Sequence, residues 1–105
     1  MYGRPEYISI AITDKGTHLL RISEIVNVAP IDATSTAIHL SNSSASANGF
    51  LDLTHASDSS TGNIVTMGNI NDAITAALEW DVAKKGPKAV YAVTLTYAVS
   101  ALAWA

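Results

Sequence analysis

Apolar and polar positions alternate along most of this chain. Over 7–13, Ile8, Ile10 and Ile12 fall on one side and Tyr7, Ser9, Ala11 and Thr13 on the other, the pattern of a half-buried strand. Asp14-Lys15-Gly16 then marks a turn, with Gly16 free to take positive φ. Residues 18–31 read as a longer strand whose phase changes. Leu20 and Ile22 share a face, Ile25 is out of phase, and Val26 and Val28 restore it, so Ser23-Glu24 predicts a bulge or kink. Pro30 predicts an edge position or the strand's end. After a turn at 32–35, Ile38 and Leu40 alternate with His39, and Leu51 and Leu53 mark a short strand over 50–54. The polar stretches 41–49 and 57–63 read as loops.

The period changes once. Ile70, Ala73, Ile74, Ala77 and Leu78 recur at helical spacing, with Asn69 as the expected N-cap and Asp72 three residues on. Lys84 and Lys85 suit a helix C-terminus, and Gly86-Pro87 supplies a stop. Residues 64–67 read as an apolar lead or a very short strand. Beyond the helix the alternation returns. Tyr91, Val93, Leu95, Tyr97 and Val99 oppose Ala92, Thr94, Thr96 and Ala98 in one long strand. The phase flips at Leu102 and Trp104, which predicts a bend or bulge near Ser100-Ala101. One helix with one apolar stripe must cover a sheet. The expected fold is therefore α+β: a single domain over 1–105, with a strongly bent antiparallel sheet or partly open barrel of five to six strands covered by one helix, about 69–85. Short loops make the first strands sequential antiparallel neighbours.

Composition narrows the function classes. The hydrophobic fraction is 49% and the charged fraction 14%, which excludes a disordered chain and leaves a surface poor in charge. A formal net charge of −3 argues against sequence-independent nucleic-acid binding. No cysteine is present, so disulfides, thiolate nucleophiles and cysteine-based zinc sites are excluded. No signal peptide is visible in the opening residues, and no apolar run has the length of a membrane-spanning helix. The expectation is a soluble protein made in the cytoplasm, with no membrane partner.

The chemistry-bearing residues form no recognisable catalytic motif. His18, His39 and His55, with Asp52 near the last, lack the local spacing of a metal site. His55, Ser57, Asp58 and Ser59 are neighbours in a polar loop, without the buried acid and oxyanion hole that a triad needs. Gly62 and Gly68 are too sparse for a phosphate loop. Lys84, Lys85 and Lys88 form the one basic cluster, without arginine and without an interleaved aromatic for base stacking. The expectation is no enzyme, no cofactor and no metal. Trp80, Tyr91, Tyr97 and Trp104 are the candidate interface residues, since tryptophan and tyrosine are enriched at protein interfaces. The long terminal strand lacks the lysine or proline that protects an edge, so it is either central in the sheet or paired across a subunit boundary.

Two resemblances follow from particular stretches. Arg21-Ile22-Ser23-Glu24-Ile25-Val26-Asn27-Val28 and Ile38-His39-Leu40 resemble the start of the LytTR-type DNA-binding domain. That family contacts DNA with basic and polar loop residues, whereas 41–63 here has no Lys or Arg. A broader likeness spans most of the chain: residues 21–28, a Thr/Ser-rich turn before Ile38-His39-Leu40, Leu53-Thr54-His55-Ala56, and Asn71-Asp72-Ala73-Ile74 leading a short helix. In these the chain resembles small uncharacterised proteins of tailed marine phages, cyanophages above all. That resemblance implies a non-catalytic structural or assembly protein, phage-encoded, virion-associated and homo-oligomeric, with other virion proteins as further partners. The alternative is a small binding module for nucleic acid or a protein partner, working through 84–88 or the strand faces.

Overall fold

The computed structural model describes residues 3–41, 50–56 and 64–104. Among them the sheet has seven strands: β1 (Tyr7–Ile12), β2 (Gly16–Arg21), β3 (Ile25–Asp32), β4 (Ser35–Leu40), β5 (Phe50–His55), β6 (Val90–Ala92) and β7 (Val99–Trp104). Helix α1 (Ile64–Leu78) and the single turn α2 (Val82–Lys85) lie between β5 and β6. The fold is the expected α+β class, a bent, open sheet with one main helix.

The strand order is β2-β1-β7-β5-β4-β3, with β6 beside β1 on the same side as β7. Its curvature follows from one connection. Six strands side by side at the usual spacing would put β2 and β3 about 24 Å apart on a flat sheet. They are joined by a single 3-10 turn, Ile22–Glu24, at the kink that Ser23-Glu24 predicts. The sheet must therefore curl until the end of β2 comes within a turn's reach of the start of β3, yet β2 and β3 do not pair, so the barrel stays open. The expected antiparallel neighbours all form, as β1–β2, β3–β4 and β4–β5, but the single strand expected over 18–31 is divided by the 3-10 turn, and its halves β2 and β3 lie on opposite edges.

The residues at 90–104 close the middle of the sheet. β6 runs parallel to β1, and β7 runs antiparallel to β5, so the sheet is mixed and not purely antiparallel. The expected long strand is interrupted. Only two residues of β1 separate its partners for Ala92 and Val99, whereas six residues separate those two on the other strand, so 93–98 leaves the ladder. Val93 stays tied by its N–H to the Ser9 carbonyl at 2.9 Å. In β7, Thr54 faces Ala101 and His55 faces Val99, which leaves Ser100 as a bulge where the phase flip places one.

Helix α1 begins one turn earlier than the periodicity suggests and ends earlier too. The buried stripe is Thr66, Ile70, Ala73 and Ala77, and it packs against β1, β3 and β6. Residues 64–67 are thus the first helical turn and not a strand, because burial of that stripe outweighs the weak helix propensity of Val65, Thr66 and Gly68. Leu78, expected on the buried face, is half exposed. Arg4 Nη1 donates to the Leu78 carbonyl at the helix end. α2 is a separate turn, capped by Asp81, whose side chain accepts from Lys84 N–H at 3.2 Å. Gly86 ends it at φ 80°, as its sequence position implies. Ile8, Ile10, Leu20, Val28, Ile38, Leu51, Leu53, Ile70, Val93 and Val99 form the core between sheet and helix.

Candidate interaction surfaces

The three histidines do not converge. His39, on β4, packs its ring against Phe50 at 5.2 Å between centroids, and His18 lies across the sheet on edge strand β2. His55 is buried on β5, its Nε2 2.9 Å from Thr36 Oγ1 and its Nδ1 2.8 Å from the Ala56 carbonyl. Nε2 thereby ties β5 to β4, while Nδ1 is satisfied locally by the next residue's carbonyl. Asp52 keeps Oδ1 away from solvent with no hydrogen-bond partner among the described residues. Among those residues no three His, Asp or Glu side chains gather into a metal site. Ser57, Asp58, Ser59 and Gly62 lie outside the described residues, and Gly68 lies inside α1.

Two of the four aromatic candidates meet. Trp80 and Tyr91 make an edge contact with centroids 6.1 Å apart. The indole Nε1–H donates to the Gly86 carbonyl at 2.8 Å. Lys85 Nζ lies 4.8 Å and Lys88 Nζ 5.3 Å from the Trp80 ring centroid, within cation–π range. An aromatic is therefore set within the basic cluster after all. The chain reverses at Gly86, bringing back onto the ring a lysine that is eight positions away in sequence. Tyr97 sits in the 93–98 excursion, half-buried, and Trp104 is placed by its backbone opposite Leu51 of β5.

Asn69 has an unexpected role. It does not cap α1 but lies within it, and its Oδ1 accepts from the Thr96 N–H at 2.9 Å, tying the 93–98 excursion to the helix. A cleft of about 270 Å³ opens between these two segments, lined by Asn69, Asp72, Ala73, Tyr91, Thr94 and Thr96.

The two sheet edges differ in kind. On β3, Ile25 faces Leu40 and Asn27 faces His39, so Val26 bulges out of the ladder. Pro30 faces Thr36 and Asp32 faces Ser35, so Ile31 does the same. Among the described residues these two are, with Leu19 and Leu78, the large apolar side chains most exposed, at 68% and 47%. Together with Pro30 they break the edge as a pairing template. On β2 all six residues pair with β1 in unbroken register, with no proline and no bulge, and Leu19 is 52% exposed. Ser9 turns its carbonyl toward Val93, on the β6 side of β1. Alternation then points Ile8 and Ile10, and their partners Leu20 and His18, into the β1–β2 ladder. The backbone groups of Thr17, Leu19 and Arg21 are left facing outward. Beside this edge runs a cleft of about 420 Å³ lined in part by Tyr7, His18, Arg21, Glu24 and Leu40. Arg21 Nη2 donates to the Tyr7 hydroxyl at 3.1 Å, and this bond to the charged form raises the guanidinium pKa above its ordinary value.

No family model, no curated protein and no solved structure matches this chain.

Where the apolar segment that suggested a subunit contact forms strand it is internal to the sheet: β6 lies beside β1, and β7 lies between β1 and β5. The open edge lies at β2, where the sequence signal was a single outward Leu19 between Thr17 and Arg21 on a strand without proline. No helix among the described residues is long and apolar enough to cross a membrane.

Proposed function

We propose that this protein is a non-catalytic structural or assembly protein that works as a homo-oligomer. The observation that carries the reading is the β2 edge: outward backbone donors and acceptors on a straight strand, with an exposed leucine at its centre. Proteins that stay monomeric block such an edge, as this one blocks β3. Support also comes from how the polar side chains are used. His55, Asn69 and Trp80 each spend their hydrogen bonds on holding segments of the fold together. The resemblance to small phage proteins is in keeping with an assembly role, in a virion or in its making.

Light scattering coupled to size exclusion, over a wide concentration range, tests the reading. The expected result is a discrete multiple of 11.0 kDa that persists on dilution. A mass of one chain at every concentration overturns it.

A second reading, a binding module, draws on the Trp80 corner, where an indole is flanked by two lysine ammonium groups. A short single-stranded oligonucleotide titrated against Trp80→Ala and the parent protein tests it. Binding that weakens at least tenfold in the variant supports a stacking site. Equal or absent binding overturns it.

A further inference from the structure

Resting on the assembly reading, we infer that two copies join through β2 in a two-fold antiparallel pair with Leu19 facing Leu19 of the second copy, which makes one continuous sheet and stops at two. The argument starts with ladder parity. In an antiparallel ladder, residues with outward backbone groups face one another. Thr17, Leu19 and Arg21 are outward, and His18 and Leu20 are turned to β1, so any register setting an odd position against an even one is excluded. Of the two-fold registers that parity allows, centring on Thr17 keeps only 16–18 paired within β2 and centring on Arg21 sets two arginines opposite each other, which leaves His18, Leu19 and Leu20 as centres.

Charge and burial separate these three. Centring on His18 brings Arg21 up to the turn that holds Lys15 of the second copy, so two cations approach each other across the pair. Centring on Leu20 sets exposed Leu19 opposite Arg21 and shifts the overlap onto Ser23, within the 3-10 turn, where the strand has ended. Centring on Leu19 sets the two exposed leucines together, places each Arg21 opposite a neutral Thr17, and keeps all five paired positions, 17–21, within β2. On the other face it sets His18 against Leu20, half-buried against buried.

Closure at two copies follows from the other edge. A sheet with two open edges would extend into a filament, but β3 is interrupted by bulges at Val26 and Ile31 and by Pro30. The pair is isologous and uses the regular edge at β2, the end of the strand order opposite β3 among the described residues.

Single-cysteine cross-linking tests the register directly, because the chain has no native cysteine. Residues facing one another in a hydrogen-bonded pair have Cα atoms about 5.5 Å apart, inside the range a disulfide bridges. Under mild oxidation, Leu19→Cys is expected to give more than half its material at twice the mass of one chain. Thr17→Cys and Val26→Cys are expected to stay single, since the two Thr17 positions would lie about 14 Å apart along the strands. An equal mixture of Thr17→Cys and Arg21→Cys is expected to cross-link. Light scattering of each reduced variant runs alongside. Loss of association in Leu19→Cys alone also places the contact at this residue.

If the parent is oligomeric but Val26→Cys cross-links and Leu19→Cys does not, the inference is overturned and the assembly reading stands. The same holds if neither cross-links while both associate, or if the mass exceeds two chains. A parent that is monomeric throughout removes both.

Discussion

Thr36 Oγ1 and His55 Nε2 form a buried hydrogen bond of 2.9 Å, whose direction is set by the partner of the other ring nitrogen. The Ala56 carbonyl can only accept, so Nδ1 carries the proton and Nε2 receives the threonine hydroxyl. Thr36→Val strands Nε2 without a donor and is expected to cost about 1–3 kcal/mol in urea unfolding. Thr36→Val with His55→Phe removes both polar partners and is expected to recover at least a third of that loss. A double variant less stable than Thr36→Val would show that His55 supports β5 by some means other than this bond.

Asn69 holds the Thr96 amide across the gap between helix and sheet. Asn69→Ala is expected to cost about 1 kcal/mol. Amide exchange over 93–98 should quicken more than exchange in β4. Asn69→Asp keeps the acceptor oxygen and should keep the protection. Unchanged exchange at Thr96 in Asn69→Ala would remove the tie from the account.

Asp32 closes the β3–β4 turn by accepting from the Thr34 N–H at 2.9 Å and the Thr34 hydroxyl at 3.1 Å. The bond from the Thr34 backbone is the main cause that holds its carboxyl below the ordinary 3.8. A depressed carboxylate stabilises the turn above the unfolded value, and that stability disappears as pH falls through the folded one. Acid titration followed at the Thr34 amide should therefore show a midpoint below 3.8, and Asp32→Asn should flatten the curve. A midpoint at or above 3.8 contradicts the turn's geometry.

Trp80 links the two helices to β6 through one hydrogen bond and the edge of Tyr91. Trp80→Phe keeps an aromatic ring but loses the donor to Gly86. The expected loss is about 1 kcal/mol by thermal or urea unfolding. Gly86→Ala is expected to cost a similar amount by forcing a side chain into positive φ. A Trp80→Phe protein as stable as the parent would mean that water satisfies the Gly86 carbonyl equally well.

Period-2 alternation made the strands legible, because Ile8, Ile10, Leu51 and Leu53 each bury one face and leave the other wet. The kink at Ser23-Glu24 and the bulge at Ser100 were legible as changes of phase, since an inserted residue flips every later side chain. The start of α1 was not. Val65, Thr66 and Gly68 favour other conformations locally, and only packing of Thr66 and Ile70 beneath the sheet decides for helix. Nor was the break at 93–98, where Val93 and Leu95 continue a perfect alternation that Asn69 and the sheet's curvature interrupt. The lysine neighbours of Trp80 were not legible either, because they depend on the reversal at Gly86. The open edge at Leu19 was not legible, because an edge is a property of topology, and an outward leucine on a strand without proline does not by itself mark one.

The placement of β6 and β7 between β1 and β5 also governs the order in which the molecule can form. The β1–β2 hairpin and the β3–β4–β5 meander can each pair locally, but nothing joins them along the sheet until 90–104 has been synthesised and brought back some 80 residues to β1. Loop closure on that scale slows folding and leaves the inner edges of both halves bare while it lasts. Fast early formation of the two halves, followed by a slow, single docking step, is the kinetic signature this topology imposes. Substitutions in 90–104 should act on that slow step, leaving the early one unchanged.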